Sequence, residues 1–183
     1  MSKWRIYLLG LVTLLMAPLG WLLRGMPEIG EFLQSDRLFS TWTAIGIEYG
    51  IVFGILMLIL TNTETARRSF SVQHQLIRSM RLSLFDILFL SFCAGFGEEL
   101  LFRVAIQQWL HPILATLGFV AIHGYINPKD WETTKYGLLV SLFILVLGYA
   151  VSAEQGVWFC IAAPASYDFV LFWFWGKDRQ GSI

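Results

Sequence analysis

Residues 84–110 read LFDILFLSFCAGFGEELLFRVAIQQWL, an apolar run long enough to cross a bilayer that nevertheless holds Glu98, Glu99 and Arg103 in its second half. A spanning helix needs roughly 20 mostly apolar residues. Charges at membrane depth are costly and turn toward the protein interior or a wet cavity. The run therefore predicts one helix of a membrane bundle, with its ionisable groups facing other helices.

The rest of the chain fits that frame. Of its 183 residues, 56% are hydrophobic and only 14% charged, and the mean hydropathy is +0.62. Soluble domains carry about 25% charged residues, so a soluble globule is excluded. Thirteen basic and thirteen acidic residues cancel, which leaves no bulk field to recruit nucleic acid. The expected fold class is all-α, a polytopic transmembrane helix bundle of about six spans at residues 6–23, 41–60, 84–110, 112–126, 136–153 and 157–175, with an additional interfacial amphipathic helix. Three parts are expected: N-terminal spans and a cytoplasmic amphipathic segment over 1–83, a core of four spans over 84–175, and a short cytoplasmic tail over 176–183.

Basic residues set the orientation, because cytoplasmic loops carry the excess of Lys and Arg. With the N-terminus inside, Lys3, Arg5, Arg67, Arg68, Arg78, Arg81, Lys129, Lys135, Lys177 and Arg179 are cytoplasmic and only Arg24 and Arg37 lie outside. Both termini are then cytoplasmic, and Trp131, Trp158, Trp173 and Trp175 fall near the interfaces. Lys3 and Arg5 ahead of an apolar run resemble a signal peptide, but no small-x-small cleavage site occurs around Ala17 to Gly20, so an uncleaved anchor is expected. The polar stretch 61–81 places Leu76, Ile77, Met80 and Leu84 at helical spacing beside arginines, the pattern of a helix lying on an anionic leaflet. Gly46, Gly50 and Gly54 form a small-xxx-small ladder that lets another helix approach, and Glu48 beside it is expected to be solvated rather than functional. Cys93 and Cys160 lie within spans and are expected to pack as free thiols.

The chemistry lies in the charged residues of the spans. Glu99 and Arg103 are four apart with the acid first, the arrangement in which a helical pair meets best. Glu98 is rotated about 100° from its neighbour and must find another partner or a proton. His123 and Asp168 sit in other apolar runs, each about 16 Å from the outer end of its span at 1.5 Å per residue. Gly95 and Gly97 leave room for close helix approach or for a ligand. If these groups converge, Glu98 and His123 can hold and deprotonate a water able to attack an amide carbonyl. Glu98, His123 and Asp168 could instead bind zinc, whose water would then attack, although one histidine and two carboxylates are a poor set. A buried ion-pair network is the structural alternative. Proton-coupled transport would use the same groups, and the lack of a visible repeat speaks against it.

These residues resemble the CPBP intramembrane proteases, which include the type II CAAX prenyl endopeptidases and the bacteriocin-processing and immunity proteins of the Abi group. The Glu-Glu-x-x-x-Arg motif is matched by Glu98, Glu99 and Arg103, and the Phe-x-x-x-His motif by Phe119 and His123. Of the third motif, His-x-x-x-Asn or Asp, Asp168 is present while Pro164 replaces the histidine; neither His74 nor His111 lies where it could substitute. The resemblance implies a glutamic-type endopeptidase with Glu98 as base beside His123, Glu99 and Arg103 as the supporting pair, and Asp168 in the group stabilising the oxyanion. It implies no obligatory cofactor, a bacterial cell membrane, contact with membrane lipids, and a peptide or lipidated-protein substrate. A non-catalytic relative that binds a membrane partner, as an immunity protein does, is the competing expectation, supported by Pro164.

Overall fold

The computed structural model describes residues 2–61, 71–127, 131–153 and 155–177. In chain order its helices are α1 (Lys3–Leu14), α2 (Met16–Leu23), the short α3 (Ile29–Leu33), α4 (Thr41–Thr61), α5 (Ser71–Met80), α6 (Leu84–Glu99), α7 (Pro112–Ile122), α8 (Trp131–Ser152) and α9 (Val157–Lys177). A π-helical segment, Leu100–Ala105, and a 3-10 turn, Ile106–Gln108, continue α6. No strand occurs among the described residues, and the fold is the all-α bundle that the composition predicts.

Four stretches are long and apolar enough to cross a membrane: Lys3–Leu23, Thr41–Leu60, Thr133–Ser152 and Val157–Gly176. Only 22% of each of the first two is buried against 44% of each of the last two, so α8 and α9 form the middle of the bundle and α1, α2 and α4 its lipid-facing flank. Outward-facing Leu8, Leu11, Val12, Val52, Ile55 and Ile59 supply that flank. Two of the six expected spans differ in kind. The third is helical from 84 to 108 but changes from α to π at Leu100 and then to 3-10. The fourth, expected over 112–126, is an 11-residue helix that stops at Ile122, about 16 Å long where a bilayer core needs roughly 30 Å.

Local sequence explains the ends. Pro18 has no N–H to give the Leu14 carbonyl, and the chain breaks register at Leu15 between α1 and α2. Ser83 and Asp86 form a reciprocal capping box that starts α6. His111 Nδ1 accepts from the Ile113 N–H, and Pro112 opens α7 at the position where a missing N–H costs nothing. Pro164 lies inside α9, and the helix runs through it to Lys177.

Glycines set how closely the helices approach. A Cβ at Gly50 of α4 would lie 2.0 Å from the Ala163 carbonyl oxygen of α9, and Gly46 and Gly54 meet the same helix at Phe159 and Val170. The small-residue ladder is thus an internal packing face. Glu48 stands exposed beside it. Tyr49 and Phe53 of α4 close on Phe143 of α8 and Tyr167 of α9, with centroids 4.8–5.8 Å apart, in the aromatic centre of the core. Both cysteines are buried and free.

In the polar stretch 61–81, residues 62–70, with Arg67 and Arg68, lie outside the described residues. Within α5, Ile77 and Met80 are buried in the bundle and His74 meets Trp175 of α9 edge to face, while Leu76 is exposed. The apolar side of this helix therefore packs on protein. Nearby, Asp86 is fully buried and accepts from the Ser83 N–H and hydroxyl, both at 2.7 Å, from Tyr7 Oη at 3.1 Å and from Lys3, which fastens α1 to the start of α6.

Candidate active site

The site begins at two glycines. A Cβ at Gly95 would lie 2.5 Å from the Ile161 carbonyl oxygen of α9, and one at Gly97 would lie 2.0 Å from the Thr13 carbonyl oxygen of α1. Both positions admit a neighbouring backbone, so α6 is clasped from two directions just ahead of its acids. Close approach, and not space for a ligand, is what these glycines provide.

Glu99 and Arg103 form a closed pair. Arg103 Nε donates to Glu99 Oε2 at 2.9 Å, and the two side chains are 2% exposed or less. Arg103 Nη1 donates to Gln107 Oε1 at 3.1 Å, and Gln107 Nε2 reaches the Gly148 carbonyl of α8 at 2.7 Å. The chain Glu99, Arg103, Gln107 and Gly148 ties the irregular end of α6 to the middle of α8. The π segment lies within this chain, in keeping with the association of π turns with functional sites. Arg103 Nη2 is buried and has no hydrogen-bond partner among the described residues.

Glu98 turns another way. Its Oε2 lies 3.7 Å from His123 Nε2, and the two side chains are 19% and 27% exposed. His123 is the C-cap of α7, not an interior residue of a span. Its Nδ1 lies 2.8 Å from the Phe119 carbonyl oxygen, which can only accept, so Nδ1 carries the hydrogen and Nε2 faces Glu98. The imidazole stacks on Phe119, 4.1 Å between centroids, and on Tyr125 at 5.7 Å. Phe119 therefore supplies both a carbonyl and a ring to fix the histidine one turn beyond it.

Asp168 on α9 is partly exposed. Tyr167 beside it points inward, as helical rotation requires, and its hydroxyl lies 3.2 Å from that of Tyr136 on α8. Of the five expected site residues, Glu99 and Arg103 form the closed pair, Glu98 meets His123 beside it, and Asp168 forms no hydrogen bond or ion pair with either among the described residues. His74 and His111 are engaged elsewhere, against Trp175 and at the start of α7. Among the described residues, no group of three His, Cys, Asp or Glu side chains is placed to hold a metal ion.

Sequence reading did not single out Gln107, Tyr125 or Tyr136. Tyr125 carried a signal: it follows His123 and Gly124. Gly124 has φ +71°, and the N–H groups of Gly124 and Tyr125 return to the Ala121 and Val120 carbonyls at 3.0 and 3.1 Å, the two bonds of a Schellman turn. That turn folds Tyr125 back against His123.

Fold and site together define an integral membrane protein that sets an acid and an imidazole face to face within a helix bundle. Residues 80–170 match the family described as type II CAAX prenyl endopeptidase Rce1-like, and the chain belongs to this family of membrane proteases. The matched stretch holds Glu98, Glu99, Arg103, His123 and Asp168. No curated protein and no solved structure matches the chain.

Proposed function

We propose that the protein is an intramembrane endopeptidase in which Glu98, with His123 beside it, activates water against the carbonyl of a membrane-associated peptide, such as a lipidated protein tail. The observation that carries this reading is the approach of Glu98 Oε2 to His123 Nε2 at 3.7 Å, half-buried and next to a fully closed ion pair. A water hydrogen-bonded to both groups gives its proton to the Glu98 carboxylate as its oxygen bonds to the carbonyl carbon. When the tetrahedral intermediate collapses, the C–N bond breaks and the same proton passes to the leaving nitrogen. The sum is one peptide bond and one water consumed, one acid and one amine released. His123 steadies the water through Nε2, Glu99 and Arg103 hold the helix that presents Glu98, and Asp168 lies with the groups around the developing oxyanion.

Pro164 favours a second reading, a non-catalytic relative that binds a membrane partner through the same residues. One comparison separates them. Wild-type protein and Glu98→Gln, purified in detergent, are incubated with fluorogenic peptides with and without a prenylated C-terminal cysteine, in the presence and absence of a chelator. Hydrolysis by the wild type, unchanged by the chelator and lower by about 10² to 10⁴-fold in Glu98→Gln, is the expected result. Equal traces for the two proteins would leave only the binding reading.

A further inference from the structure

At the place where the resembling motif carries a histidine, Pro164 offers no side-chain hydrogen. A tetrahedral oxyanion needs a donor aimed at it, and removing one such donor from an enzyme lowers turnover by about 10² to 10³-fold.

A chain of three phenols runs to the open side of the site. Tyr167 is buried with its ring against Phe53 and Phe143, and its hydroxyl pairs with that of Tyr136 at 3.2 Å. Tyr136 also meets Tyr125 edge to face, with ring centroids 4.9 Å apart. Tyr125 is the only half-exposed member, and its ring lies against His123. It is held there from two sides. The Schellman turn at Gly124 fixes its backbone, and Gly137 of α8 allows the approach, because a Cβ at 137 would fall 2.6 Å from the Tyr125 carbonyl oxygen and 2.8 Å from its Cβ.

We infer that Tyr125 is a catalytic residue of the proposed peptide hydrolysis, donating its phenolic hydrogen to the substrate carbonyl oxygen as it becomes an oxyanion, in the role left open by Pro164. Tyr136 and Tyr167 are positioning residues that orient the phenol. This rests on the protease reading above.

The test compares wild type, Tyr125→Phe, Pro164→His and Tyr125→Phe/Pro164→His on the same fluorogenic peptides, with Glu98→Gln as the control. Phenylalanine keeps the ring on His123 and removes only the hydroxyl. The expected result is a fall in kcat of about 10² to 10³-fold in Tyr125→Phe with KM and melting temperature close to wild type. Pro164→His should change wild type little and should restore much of the loss when added to Tyr125→Phe. A Tyr125→Phe enzyme that keeps wild-type kcat overturns the inference while leaving the protease reading intact. Absence of any Glu98-dependent cleavage removes both. Should Tyr125→Phe unfold, fluorotyrosine incorporated at 125 keeps the ring and hydroxyl but makes a stronger donor, and an unchanged kcat there also overturns the inference.

Discussion

Glu98 and Glu99 are adjacent on one helix and have opposite fates. Glu99 is sealed against Arg103, and that pair is tied on to α8 through Gln107. Glu98, about 100° around the helix, meets His123 at 3.7 Å and keeps a fifth of its side chain exposed. The same carboxylate serves structure in one position and is left reactive in the other. Direction around the helix decides which, and the closed pair holds the open one in place.

If that contrast is correct, removing a partner from the closed pair should damage the fold more than anything done to the open one. Arg103→Met strands a buried carboxylate and should destabilise the protein by about 3 to 5 kcal/mol, read as a loss of folded protein in detergent. Glu99→Gln/Arg103→Met should recover part of that loss, because no unpaired charge remains. A fully stable Arg103→Met would mean that the pair holds nothing together.

The open pair depends on the turn after α7. Gly124→Ala places a side chain where φ is +71°, a conformation that costs an L residue roughly 1 to 2 kcal/mol. The turn should relax and shift His123 and Tyr125, so turnover is expected to fall more than tenfold while the melting temperature drops only a few degrees. A normal rate in this variant would show that the turn does not position the site.

The smallest effect on stability is expected for Glu98→Gln. This half-exposed group, with no partner as close as that of Glu99, should leave the melting temperature within a degree or two of wild type. A large loss of stability would make Glu98 a second structural residue and erase the contrast.

Much of this was legible in the chain. Spacing alone pairs Glu99 with Arg103 and turns Glu98 away, whereas the depth counted for His123 assumes a span that ends early, and its meeting with Glu98 comes from the cap of α7. The glycine ladder at 46, 50 and 54 is a packing face, and α9 covers it. What stayed hidden depends on tertiary contact. Hydropathy does not reveal the π segment at Leu100–Ala105, because a change of hydrogen-bond register leaves composition untouched. Gln107 gives no signal of its own in the sequence, because its partner, the Gly148 carbonyl of α8, lies 41 positions later. The apolar run after Pro112 extends the expected span to 126, but Gly124 ends the helix, and His123 becomes its cap, held by the Phe119 carbonyl and ring. Asp86 is not singled out by the sequence, and the fold brings Lys3 and Tyr7 to it.

The central claim is that Glu98 and His123 act as one unit on one water. A double-mutant cycle on kcat tests it most directly, using Glu98→Gln, His123→Gln and the two combined, each purified and shown to be folded. Groups that act together are strongly non-additive, so the double variant should be no slower than the slower single variant. Losses that multiply, giving a double variant slower than either by the full effect of the other, would mean that the two groups work separately and would contradict the account.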